Sequence, residues 1–188
     1  MTAFPEHKKK VAKPMLWISM ASMAMVFAGL TSAYVVRKAE GNWLDFDFPS
    51  WFYISTALIV LSSITMILAK KSIRSGNNSL ASTAMGITFV LGVGFAISQF
   101  LGWDALFDMG VYFTGPGSNA SGSFVYVISL LHLLHLAGGL IALLVTWIKT
   151  AMNKYSSENM IGVELCAIFW HFLDILWVYL FLFFLYIR

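Results

Sequence analysis

Glu164–Arg188, ELCAIFWHFLDILWVYLFLFFLYIR, is an apolar run long enough to cross a bilayer, yet its first half carries Glu164, His171 and Asp174. An ionisable group in hydrocarbon costs about 2.5–3.5 kcal/mol on insertion scales, so it persists only where something pairs with it. His171 and Asp174 are three residues apart and neighbours on one helix face. Glu164 lies two turns earlier on much the same side. That face must look into protein, and the rest of the chain must supply what it meets.

The composition agrees with a membrane setting. Of 188 residues, 59% are hydrophobic and 11% charged, where a soluble domain averages roughly 25% charged. The single cysteine, Cys166, excludes an internal disulfide and a cysteine-rich metal framework, and reads as a small buried side chain. A net charge of +3 carries no nucleic-acid signal, because the basic residues sit at the ends of apolar runs.

Working outward, five such runs emerge. A basic tail over residues 1–13, with Lys8, Lys9, Lys10 and Lys13, precedes the uncharged stretch Pro14–Val36. That stretch exceeds the apolar core of a secretory signal and reads as a retained helix. Ala24, Ala28 and Ser32 recur along it as a small-residue stripe suited to close helix packing. The remaining spans fall at about 50–70, 80–104, 123–148 and 161–187, the second opened by Trp51, Phe52 and Tyr53. The third is glycine-rich (Gly86, Gly92, Gly94, Gly102) and holds Gln99, a polar group in need of a partner. The segment Asp104–Gly122 contains no Lys or Arg and reads as an irregular loop, and its Asn119-Ala-Ser121 pattern is too short to argue from.

The expected architecture is all-α: one polytopic bundle of five transmembrane helices over residues 14–188, with no soluble domain and no internal repeat. Of twelve Lys and Arg residues, nine fall on the side of the N-terminal tail and the second and fourth loops. The other side has Arg37, Lys38 and Arg188, so the N-terminus is expected in the cytoplasm and the C-terminus outside.

At 1.5 Å per residue, His132 and His135 lie roughly 13–18 Å below the outer end of the fourth span. His171 and Asp174 lie roughly 15–20 Å above the inner end of the fifth, a similar depth in a core about 30 Å thick. Antiparallel neighbours joined by a short turn would let these four groups form a network, with Glu164 nearer the inner interface. Three readings stay open on the residues alone: a structural network locking helices together, a proton- or ion-active site, and a metal or haem site.

The motifs then resemble a known family. Phe169-Trp170-His171-Phe172-Leu173-Asp174-Ile175-Leu176-Trp177, followed by Tyr179-Leu180-Phe181, is similar to the terminal helix of cytochrome c oxidase subunit III. Gly122-Ser123-Phe124, His132-Leu-Leu-His135 and Gly138-Gly139 resemble its Gly-Ser-x-Phe and His-x-x-His helix, and Glu164 matches a usual family carboxylate. Trp17-Ile18 to Phe27-Ala28 with Tyr34, then Leu61-Ser62-Ser63 with Thr65 and Ala69, then Gln99 with Trp103, look like the three earlier helices. The likeness is to the short, five-helix bacterial form. Met23 and Gly102 stand where the family usually carries acids, so any proton-uptake role of those acids does not transfer.

The resemblance implies an accessory, non-catalytic subunit of a proton-pumping haem–copper terminal oxidase carrying electrons from cytochrome c to oxygen, one that stabilises the catalytic subunit and supports proton uptake. It implies no haem, copper or other metal in this chain, and leaves room for bound phospholipid. The implied partners are the catalytic subunit I, other oxidase subunits and membrane lipids, with membership of a respiratory supercomplex open; the location is a bacterial plasma membrane. His132, His135, Glu164, His171 and Asp174 then form the structural polar network, packed by Trp170 and Trp177. The contrasting expectations are a stand-alone membrane metal or haem protein and a small proton-coupled carrier.

Overall fold

A computed structural model describes residues 6–156 and 159–187. Among them, five helices account for nearly the whole chain: α1 (Glu6–Ala39), α2 (Ser50–Arg74), α3 (Asn78–Asp108), α4 (Ala120–Ala151) and α5 (Ile161–Ile187). Each contains a stretch long and apolar enough to cross a membrane. Even the shortest, α2, with 25 residues, measures about 38 Å along its axis, more than a hydrocarbon core of about 30 Å.

The helices outrun the apolar spans because local signals at their ends permit it. Asn77 caps α3 by accepting from the Leu80 amide at 3.0 Å. Asn119 caps α4, its Oδ1 accepting from the Ser121 amide at 3.1 Å, while its Nδ2 donates to the Asn42 carbonyl at 3.0 Å. Such caps satisfy amides that a helix start leaves without partners. The loop expected over Asp104–Gly122 shrinks at both ends, since α3 runs on to Asp108 and α4 starts at Ala120 behind the Asn119 cap. At the other end, α1 runs through Pro14 and begins at Glu6, so the basic stretch continues the helix instead of forming a separate tail. Lysine is a good helix former and readily extends a helix into water. Residues 1–5 of that tail, and Arg188 of the topology count, lie outside the described residues.

α5 is the element the others pack around. It touches α1, α2 and α4, while α2 pairs extensively with α3, α3 with α4, and α4 with α1. Half of the most apolar window of α5 (50%) is buried within the chain, against 17% for α1. α1 is thus a peripheral helix laid against α4 and α5. It turns Met20, Phe27, Thr31 and Tyr34 inward. Tyr34 meets Trp43, Phe124 and Phe183 edge-on at 4.6–5.8 Å, a geometry that aromatic quadrupoles favour.

Lipid tails are as apolar as leucine, so close packing and interhelical hydrogen bonds hold such a bundle together. Glycine supplies the close approach. A Cβ on Gly92 would stand 2.7 Å from the Trp170 ring, and one on Gly102 2.9 Å from Phe52. Gly86 likewise faces Trp147 at 2.9 Å, whereas Gly94 has ordinary room. The small-residue stripe behaves differently. Ala24, Ala28 and Ser32 lie exposed on α1, and Ser32 lines an open groove beside Ala120 and Phe124 of α4. The wide Phe27 and Tyr34 side chains of the buried face are what α1 lays against its neighbours.

Candidate functional site

The polar groups sort into three settings, and one common network does not form. At the N-terminal end of α5, Glu164 lies 2.7 Å from Lys13 Nζ of α1 and 3.6 Å from Arg74 Nη2 of α2. One partly buried carboxylate so joins three helices. Its place in the first turn of α5 also suits the positive end of the helix dipole.

Two turns further on, α5 meets α2. The Ser63 hydroxyl and His171 Nδ1 are 2.7 Å apart. Asp174 Oδ2 sits 3.8 Å from that same nitrogen, beyond hydrogen-bond length but close enough for electrostatic attraction to an imidazolium. Asp174 is buried, and neither of its carboxylate oxygens has a hydrogen-bond partner among the described residues. The indoles of the same helix extend the seam: Trp170 Nε1 donates to Ser62 Oγ at 3.0 Å and Trp177 Nε1 to Thr56 Oγ1 at 3.0 Å. Higher numbers on α5 meet lower numbers on α2, as antiparallel helices require.

The fourth-helix histidines are elsewhere. His132 is wholly buried, with both ring nitrogens unpartnered among the described residues. Its neighbours are aromatic: Trp177 at 5.1 Å, Phe95 at 5.8 Å and Phe27 at 6.3 Å between ring centres. His135 Nδ1 lies 2.8 Å from the Leu131 carbonyl, one turn back on its own helix, and its ring meets Phe27 at 5.7 Å. The depth argument placed the four groups at one height but could not fix their rotation about each helix axis. His132 faces an aromatic box, while His171 faces the hydroxyls of α2.

Those hydroxyls are what sequence reasoning missed. Ser55 and Ser62, and likewise Thr56 and Ser63, stand seven residues apart on α2, the spacing that separates Trp170 from Trp177. That matched period was the available signal. Ser55 also receives the Gln99 side-chain amide at 2.8 Å, and Thr65 and Thr88 pair at 2.7 Å, so α2 binds α3 through the same small groups. Gly102, at a usual acidic position of the family it resembles, is filled by the Phe52 ring, and Met23 is half-buried. Cys166 is buried with a free thiol. Among the described residues, no three His, Cys, Asp or Glu side chains converge on one point. Glu164, Trp170, His171 and Trp177 form hydrogen bonds or ion pairs to other helices, whereas His135 bonds within its own.

Comparison with known proteins gives a consistent result. Residues 45–188 match the family model described as cytochrome c oxidase subunit III. The chain is 30% identical over 178 residues, covering 92% of itself and 85% of the relative, to a probable cytochrome c oxidase subunit 3 of Mycobacterium tuberculosis. It is 29% identical to cytochrome c oxidase subunit 3 of Synechocystis, covering 84% of this chain and 67% of that one. It is also 29% identical to a cytochrome bo(3) ubiquinol oxidase subunit 3 of Pseudomonas aeruginosa, covering 88% and 79%.

Proposed function

The chain belongs to the cytochrome c oxidase subunit III family, and from that premise we propose that it acts as a structural flank of the enzyme, packing against and stabilising the catalytic haem–copper subunit. As an accessory subunit of a terminal oxidase it works with other oxidase subunits. In our reading it binds no haem or copper itself, and the complex takes electrons from cytochrome c and pumps protons across a bacterial plasma membrane. The bias of Lys and Arg supports an N-terminus in the cytoplasm and a C-terminus outside. Family membership disfavours the stand-alone metal protein and the small carrier.

One observation carries the structural role. Glu164, Trp170, His171 and Trp177 all engage partners on other helices. Groups committed in this way hold α5 in place, and through it the bundle. The exposed stripe of Ala24, Ala28 and Ser32 then serves close packing against a helix outside this chain.

The test is affinity purification through a tag on this chain, with identification of the chains that accompany it. A haem–copper catalytic subunit should co-purify with its haem absorbance. Recovery of this chain alone, from membranes that contain that subunit, would contradict the reading.

A further inference from the structure

At the far end of α3, opposite the Glu164 clamp, a groove of about 460 Å³ opens between that helix, the following loop and α4. Six of its lining side chains are aromatic: Phe100, Trp103, Phe107, Tyr112, Phe113 and Tyr126. Asp104 and Thr114 complete it. Interfacial aromatic residues are ordinary in membrane proteins. A carboxylate among six rings, in a stretch from 104 to 122 with no Lys or Arg, is not. Among the described residues, no Lys or Arg pairs with Asp104.

The groove is held open by its own frame. Trp103 Nε1 donates to Ser129 Oγ at 2.9 Å. The Tyr126 hydroxyl points its proton between the Trp103 and Val111 carbonyls, at 3.0 and 3.1 Å. Ser123 Oγ donates to the Phe113 carbonyl at 2.7 Å, fixing the loop ring beside Tyr126, with ring centres 5.8 Å apart. The polar atoms of Trp103 and Tyr126 are thus engaged within the protein, while the rings line the groove. Aromatic faces with a nearby carboxylate are the chemistry that recognises an ammonium ion.

The geometry points to a binding site for a phospholipid whose headgroup ends in an ammonium, its cation held by Asp104 and the surrounding rings. Thr114 and the Tyr112 hydroxyl are the donors available to its phosphate. A lipid fits better than a lysine of another chain because of what lies below. Val90, Ile97 and Phe100 are all exposed and share the face of α3 that carries Asp104. From Val90 to Asp104 this track covers about 21 Å, longer than the roughly 15 Å half-thickness of a hydrocarbon core. It offers an acyl chain continuous apolar contact from mid-membrane to the headgroup. The inference rests on the membrane-spanning fold and does not depend on which subunits accompany the chain.

Native mass spectrometry of the chain, isolated with its co-purifying subunits and stripped of lipid by detergent exchange, tests it. Titration with phosphatidylethanolamine and, separately, phosphatidylglycerol should load the wild type with one molecule of the former in preference. Asp104→Asn should weaken that binding by roughly tenfold, the scale of one ion or cation–π contact, and leave phosphatidylglycerol unaffected. Phe113→Leu, a change on the exposed loop, should weaken it similarly, and it decides the matter if Asp104→Asn fails to assemble. Equal binding of the two lipids to wild type, or undiminished binding to the variants, overturns the inference. A carbodiimide cross-link between Asp104 and a lysine of a co-purifying chain overturns it as well, by assigning the groove to protein. The identity of the co-purifying subunits is read from the same spectra, so failure of the partnership is scored separately from failure of the lipid site.

Discussion

Trp170 lies against α3 only because Gly92 has no side chain. A Cβ there would stand 2.7 Å from the indole and 3.0 Å from Leu140. Gly92→Ala should therefore destabilise the chain by about 1–3 kcal/mol, the usual effect of overpacking, partly offset by the better helix propensity of alanine. Gly138 has nothing within 4 Å of the same position, so Gly138→Ala should be neutral or gain up to about 1 kcal/mol. Thermal unfolding of the solubilised protein separates the two, and equal shifts would contradict the packing described. The histidines make a second contrast. His132 sits unpartnered among rings, and replacing a buried orphan with an apolar group is often harmless. His132→Leu should keep or raise the melting temperature, whereas His171→Leu strips Ser63 of its partner and should lower it. The glycine-rich third run was visible in the sequence, and three of its four glycines, Gly86, Gly92 and Gly102, stand at close contacts. The isolation of His132 was not, because spacing along a helix gives height but not the direction a side chain faces.

Two helices, α2 and α5, form the seam on which the bundle depends. Its hydrogen bonds run from the Trp170 and Trp177 indoles and the His171 ring to Ser62, Thr56 and Ser63. A double-mutant cycle between Trp177→Phe and Thr56→Val should show a coupling of about 0.6 kcal/mol and no more than about 1.7, the mean and maximum measured for polar pairs between membrane helices. A coupling of zero would mean that the indole rests on packing alone. α1 is held more loosely, by Lys13 to Glu164 at one end and by Lys38 Nζ donating to the Ile187 carbonyl at the other. Glu164→Gln should cost about 1 kcal/mol or less, since Lys13 and Arg74 are well exposed to solvent. Faster hydrogen exchange should then appear in the first turns of α1 and leave α2 and α3 unchanged. The anchoring place of α5 was legible from its buried charges. The contribution of α2 was hidden because serine and threonine in membrane helices usually bond back to their own carbonyls, as Ser72 does to Leu68. Ser55, Thr56 and Ser62 do so too, while the same oxygens accept an N–H from another helix, so the residue alone does not tell which ones have a partner.

Across the whole molecule, five spans and their order follow from the apolar runs, and the helices differ from those runs mainly where caps and lysines extend them. Residue size marked the Ala24, Ala28 and Ser32 stripe for close helix packing, but could not tell that the fold leaves it exposed. The account's central claim is that the α5 side chains engaging other helices, Glu164, Trp170, His171 and Trp177, serve as joints between elements and take no part in electron transfer. The most direct measurement is the haem absorbance per assembled complex, purified through this chain, for wild type, His171→Ala and Asp174→Ala. The variants should give less complex or a shorter operational lifetime with an unchanged haem spectrum per complex. A lost or shifted haem band in a fully assembled variant would contradict the claim.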